Sequence, residues 1–303
     1  GGGLGSRWST TPPSAAPPDY TLLLQSSTER ASLLRRHCQR WQGPMSIVLY
    51  TTETAHDVPV NDYIPEECQR RSNIVVFQGG KDQKYPVNQL RNIALQEAGT
   101  SHVFTCDIDF LPDVSLYRRL RALGARAATG AGGGDGAAAR HALVVPAFSF
   151  AEWHGSCWGA APAAAAAACE RLVAQVPATY AGLGRCLRGE GGDGEGKAAA
   201  AACQVFDRRN PGGHSTTEYP KWYRQRHPQL RKVPCFHTNR YEPYFAMRKH
   251  RGMPLYDERF VGYGKNKIQY VVHLRHLGWE FFVVPQSYII HAPHPKSNAK
   301  REW

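Results

Sequence analysis

No stretch of this sequence approaches the roughly 18–20 consecutive apolar residues of a membrane-crossing helix, which disfavours an integral membrane bundle. Residues 1–19 are a Gly/Ser/Pro strip without the apolar segment of a secretory signal, so any membrane anchor is expected upstream of the chain. Cys-x-x-Cys pairs are missing too. The eight cysteines, Cys38, Cys68, Cys106, Cys157, Cys169, Cys186, Cys203 and Cys235, are widely scattered, against a zinc ribbon or a thioredoxin-type site. Their even number suits disulfides in a secretory lumen as well as buried thiols. Acidic residues are scarce: 25 Asp+Glu face 37 Lys+Arg, a formal charge of +12. That balance fits a nucleic acid, a membrane surface or a substrate bearing phosphates and carboxylates. No nucleic-acid module accompanies the charge, so nucleic acid is not the expected partner. Solenoid-length repeats are also lacking.

What is present is the material of a soluble globular protein: 303 residues, 42% of them hydrophobic, enough for a sizeable core. Residues 1–19 read as a linker and 20–303 as one domain. Ala/Gly-rich surface insertions are expected at about 124–139 and 160–202. Elsewhere, strand and helix patterns alternate. Ser26–Trp41 reads as a helix capped by Ser26 or Ser27, with Leu33, Leu34, Cys38 and Trp41 on one stripe. Strands are expected over Ser46–Tyr50, Asn73–Phe77, His102–Cys106, Ala142–Val145, Tyr241–Arg248, Trp279–Val284 and Ser287–His291. Helices are expected over Val87–Ala98, from Asp113 to a stop at Gly124, and over Lys265–Leu277. This rhythm predicts an α/β domain with a mainly parallel sheet, whose ligands sit beyond the carboxyl ends of the strands.

The sharpest chemical feature is the apolar run that ends in Asp107-Ile108-Asp109. In an extended backbone residues i and i+2 face the same way, so both carboxylates would point to one side. Two hard oxygen ligands at a strand end suit Mg²⁺ or Mn²⁺, which in turn binds a diphosphate. A lone D-x-D is equally often a solvated pair of turn acids, but such acids rarely sit inside V-F-T-C-D-I-D-F. A second apolar strand, Tyr288-Ile289-Ile290, ends in His291, a further metal ligand if the sheet brings it near Asp107. Pro293 breaks helical geometry, and His294 reads as a neighbour rather than a ligand. In the stretch Phe77–Asn92 a loop with Gly79-Gly80-Lys81 leads into a helix start where free N–H groups and Arg91 could meet an anionic nucleotide; an exposed helical Arg is the plainer explanation. Tyr241–Tyr244 and Tyr256–Lys267 crowd acids, aromatics and glycines into a pattern suited to binding a sugar.

Seven motifs in fixed order carry a family resemblance: W-Q-G-P-M-S (41–46), Y-P-V-N-Q-L-R-N-I-A (85–94), F-T-C-D-I-D-F-L-P (104–112), A-L-V-V-P-A-F (142–148), Y-E-P-Y (241–244), F-V-G-Y-G-K-N-K (260–267) and Y-I-I-H-A-P-H (288–294). Over roughly Gln25–His294 the chain resembles glycosyltransferase family 49, the family of the LARGE-type and β-1,4-glucuronyltransferases. The resemblance implies a GT-A fold (a Rossmann-like mixed sheet flanked by helices), a UDP-sugar donor, Mn²⁺ with Mg²⁺ as alternative, and inversion at the anomeric carbon. It implies metal ligands at Asp107, Asp109 and His291. It also implies the lumen of the Golgi, as the catalytic part of a type II membrane protein. Between Phe148 and His214 the sequence departs from the family, although Gly213–Thr217 and Lys221-Trp222 keep its G-H-x-P-T…K-W stretch with Thr216 where Pro is usual.

The expected activity is therefore metal-dependent transfer of a sugar, glucuronate by preference, from UDP to a glycan or glycoprotein acceptor. The donor is expected against Asn88, Arg91, Asp107 and Lys267, with Arg91, Lys265 and Lys267 as cations for a uronate. Asp257 and Glu242 are the candidate bases, with no means of choosing between them. Two other classes compete: a catalytically silent glycan-binding module of the same fold, and a basic nucleic-acid-binding protein.

Overall fold

The run Tyr20–Ser27 has an apolar centre, Leu22–Leu24, and is buried almost throughout, as a strand covered on both faces is. In the computed structural model it is the central strand β1. The structure describes residues 17–80, 83–129, 140–151, 157, 162–190, 202–208, 211–262 and 264–295. β1 pairs in parallel with β2 (Met45–Thr51) on one side and β4 (His102–Thr105) on the other; β3 (Ser72–Gln78) lies parallel outside β2. Beyond β4 the sheet turns mixed. β10 (Tyr244–Arg248) runs antiparallel between β4 and β6 (His141–Val145), followed by β11 (Glu280–Val283) and the short edge strand β9 (Arg231–Val233).

A smaller sheet has the order β5 (Phe110–Pro112), β12 (Ile289–His291), β7 (Ala147–Phe150), β8 (Cys203–Val205). The chain passes from the first sheet into the second at residues 106–109, between β4 and β5. The aspartate motif therefore lies where the two sheets meet.

The helix read over Ser26–Trp41 is shorter than its pattern. α1 spans Leu33–Arg40, because Ser26 and Ser27 complete β1 and a 3₁₀ turn, Thr28–Arg30, intervenes. Gly124 does not stop its helix, which runs Leu116–Thr129. A Cβ at Gly124 would lie 2.6 Å from the Tyr20 hydroxyl and 2.9 Å from Pro18, so glycine permits a close approach to β1 there. Pro18 and Asp19, read as linker, pack on this helix, and the Tyr117 hydroxyl donates to Asp19 (2.7 Å). Residues 1–16 and 130–139 lie outside the described residues, as does most of 190–201.

The Ala-rich segment also differs from the expectation of surface filler. Helices Pro162–Ala174 and Tyr180–Leu187 occupy it, and Cys169, Val173, Val176 and Leu183 are buried. Disulfides Cys157–Cys169 and Cys186–Cys203 tie this segment down, while Cys38–Cys68 fastens α1 to the short helix Glu66–Gln69. Composition misleads here because the alanine run continues into C-E-R-L-V-A-Q-V, which has an apolar face to bury.

Asp113 closes the turn into the Leu116 helix, accepting from the Ser115 N–H (2.8 Å) and hydroxyl (2.5 Å). Its other oxygen accepts the Tyr288 N–H (3.0 Å), pinning the approach to β12. Asp113→Ala is expected to cost about 2–3 kcal/mol, the sum of a lost cap and a buried N–H left unpaired. Urea denaturation measures it; a loss below about 0.5 kcal/mol would mean that water replaces the carboxylate.

Candidate active site

Register explains how residues far apart in the chain meet. His291 on β12 sits opposite Phe110 on β5, and the Ala292 N–H donates to the Asp109 carbonyl (2.7 Å). Phe245 on β10 sits opposite Thr105 on β4, so Tyr244 falls beside the residues that follow β4. The 107–109 segment is a turn rather than extended chain: the Phe110 N–H donates to the Asp107 carbonyl (3.0 Å). Ile108 and Phe110 are buried, and the ring of fully buried His37 holds the Ile108 carbonyl (2.8 Å). The turn also changes the aim of the two carboxylates. They serve two different clusters.

Asp107 faces cations. One of its oxygens accepts from Arg91 (2.8 Å); the other accepts from Lys267 (2.9 Å) and from the Tyr244 hydroxyl (2.7 Å). Burial opposes ionisation of Asp107, but Lys267 and Arg91 outweigh it and hold the carboxyl well below its usual range. Arg91, expected at a helix start, is buried and aimed by Asn88 (3.1 Å) and Asn266 (2.7 Å). Asn88 is fully buried behind it and also donates to the Asp257 carbonyl (2.7 Å), so it supports the cation. Lys265 is exposed, in left-handed conformation, just before the helix Asn266–His276.

Asp109 faces imidazoles. Oδ2 lies 3.5 Å from His291 Nε2, 3.3 Å from His294 Nε2 and 3.0 Å from the Arg30 guanidinium. Burial opposes its charge too, yet hydrogen bonds from His291 and His294 and the charge of Arg30 bring the carboxyl far below normal. Asp109, His291 and His294 offer three ligand atoms within 4.8 Å of one another. One carboxylate oxygen and two imidazole nitrogens suit a borderline cation such as Mn²⁺ better than Mg²⁺, which prefers oxygen. His294, read as a neighbour, stands as near Asp109 as His291 does.

The two candidate bases separate. Glu242 lies 4.0 Å from Lys267, against Gly213, and burial raises its carboxyl above the usual value although Lys267 works the other way. Asp257 is bonded by the Arg259 side chain (2.6 Å), which lowers it to about 2, and it lines a surface groove with Leu255, Gln269 and His273. An acid so depressed and so paired is a poor proton acceptor. Arg30, Tyr244 and His294 were not among the site residues expected from sequence. Y-E-P-Y held a signal for Tyr244; nothing local marks Arg30.

A mixed sheet whose parallel strands deliver an aspartate-bearing turn to the edge of a second small sheet is the GT-A glycosyltransferase fold. The chain belongs to glycosyltransferase family 49, whose model, described as "Glycosyl-transferase for dystroglycan", matches residues 60–155 and 199–303. It is 34% identical over 291 residues to xylosyl- and glucuronyltransferase LARGE2 of Rattus norvegicus, covering 94% of this chain and 36% of that protein. With LARGE1 of Mus musculus it shares 31% over 294 residues, covering 94% and 32%. The chain thus spans about a third of the length of these curated relatives. A crystal structure of GalNAc-T7 with UDP, GalNAc and Mn²⁺ superposes with a TM-score of 0.49 at 12% identity, over 93% of this chain and 45% of that one.

Proposed function

We propose that this domain is a metal-dependent, inverting glycosyltransferase that moves a sugar, glucuronate by preference, from UDP to a hydroxyl of a glycan or glycoprotein acceptor. The observation that carries the reading is the meeting of Asp109, His291 and His294 beside the cation cluster around Asp107. Asp109, His291 and His294 would hold a divalent metal, Mn²⁺ or else Mg²⁺, which when bound supplies Lewis-acid stabilisation of the departing diphosphate. Asp107, also expected as a ligand, has both oxygens committed to Arg91, Lys267 and Tyr244, and we assign it to aligning those cations. Arg91 and Lys267 then face the donor's anionic groups, phosphates or a uronate. Glu242 takes the proton from the acceptor hydroxyl as that oxygen attacks the anomeric carbon and the bond to UDP breaks.

Glucuronate is favoured by the names of the relatives and by two cations in the cluster, buried Arg91 and half-buried Lys267. The three disulfides suit an oxidising compartment such as the Golgi lumen. Among the described residues no helix is long and apolar enough to cross a membrane.

A donor screen by UDP release, with Mn²⁺ and with chelator, tests the reading. UDP-glucuronate should turn over fastest and chelator should abolish turnover. Equal or faster release from UDP-galactose or UDP-N-acetylglucosamine would refute the sugar alone. No release from any donor in the presence of acceptor glycans would favour the silent glycan-binding module.

A further inference from the structure

Arg30 ends the 3₁₀ turn that follows β1, at the carboxyl end of the parallel strands, and it precedes the stretches that match the family model. Its guanidinium donates to Asp109 Oδ2 at 3.0 Å, the same oxygen that both imidazoles approach. A guanidinium presents five donors in a plane, suited to phosphate oxygens. Here one nitrogen is spent on Asp109, and Nε is buried without a hydrogen-bond partner among the described residues. The side chain is nonetheless 21% exposed, so it is reachable from the crevice.

We propose that Arg30 stands in for the metal on Asp109 and passes to the diphosphate of a nucleoside diphosphate when the metal takes that oxygen. This rests on the metal-dependent reading above. A divalent ion and a guanidinium on one carboxylate oxygen repel each other, so metal binding at Asp109 Oδ2 weakens the Arg30 contact and favours its release. The released cation lies beside the metal, where the diphosphate brings negative charge, and its unpaired donors gain partners there. Arg30 thus opposes metal binding to the free protein and favours nucleotide binding to the metal-loaded one. By linkage, it couples the two ligands positively. Arg30 is a donor-binding residue in this role.

The test needs no turnover. Mn²⁺ uptake by nucleotide-free protein is followed by electron paramagnetic resonance of the free ion, and UDP binding at saturating Mn²⁺ by calorimetry. Arg30→Gln is expected to tighten Mn²⁺ binding roughly 3–10-fold, since a competing cation is gone, and to weaken UDP binding about 10–100-fold. Arg30→Lys keeps the charge but loses the fork: Mn²⁺ affinity should stay within about twofold, while UDP weakens about tenfold. The lysine variant carries the test if the glutamine variant is unstable. Weaker Mn²⁺ binding in Arg30→Gln would reduce Arg30 to a support for Asp109 and overturn the proposal. So would unchanged UDP affinity in either variant. If the wild-type chain binds neither Mn²⁺ nor UDP, the reading beneath fails and the proposal with it; if wild type binds both and the variants are indifferent, only the role of Arg30 falls.

Discussion

Asp109→Asn is expected to lower metal-supported sugar transfer by about 10³-fold or more, with the fold intact. The carboxylate is the anionic member of the Asp109–His291–His294 group, and a neutral amide oxygen is a far weaker ligand for a hard or borderline cation. A metal Lewis acid contributes several kcal/mol to the transition state, and each 1.36 kcal/mol is about a factor of ten. Asn is nearly isosteric and can still accept from Arg30, so the turn closed by the Phe110 N–H should persist. UDP release, Mn²⁺ uptake and a thermal melt in parallel check this. Retained Mn²⁺-dependent turnover would remove Asp109 from the metal site. Asp107→Asn should also be severely impaired, but for a different reason: Arg91 and Lys267 would lose their common anchor, so donor binding should suffer more than Mn²⁺ uptake.

Glu242→Gln is expected to lower kcat by about 10²–10³-fold with donor KM little changed, since a general base typically supplies about 10²–10⁴. Asp257→Asn should change kcat by less than about threefold, because Asp257 is spent on Arg259. The pH dependence has a definite sign. A base works deprotonated, so transfer should rise with pH through the Glu242 pKa, which burial lifts above the usual glutamate value despite Lys267. The acid limb of the wild-type kcat profile should therefore lie above the ordinary carboxylate range and flatten in Glu242→Gln. An unaltered limb in that variant, or a large loss in Asp257→Asn, would return the base assignment to Asp257.

Legibility differed from residue to residue. Asp107 and Asp109 stand out because two carboxylates inside an apolar strand context are costly unless used, and that cost is written locally. Their direction was not legible: periodicity suggested an extended pair, whereas the chain turns at Ile108 to cross from one sheet to the other. His291 stands at the end of a readable strand. The equal standing of His294 depends on how the chain leaves β12 after Pro293. Gly124 has the pattern of a helix stop, and only the nearness of Pro18 and Tyr20 explains why a glycine stands inside a continuing helix. The Ala-rich stretch shows the converse, since two short-range disulfides and the buried Val173, Val176 and Leu183 order what composition suggests is loose.

By itself, then, the sequence determined the α/β alternation, the aspartate motif, the basic charge and the family's ordered motifs, because each rests on neighbouring residues or on spacing along the chain. Only the tertiary structure decided which ends of the strands meet. The β5–β12 register puts His291 and His294 on Asp109, the β4–β10 register puts Tyr244 on Asp107, and Lys267 arrives from a helix 160 residues on. Arg30 reaches Asp109 across 79 residues because β1 lies beside β4 at the centre of the sheet. The different surroundings of Glu242 and Asp257 have the same origin: packing turns one acid toward Lys267 and the other toward an exposed arginine.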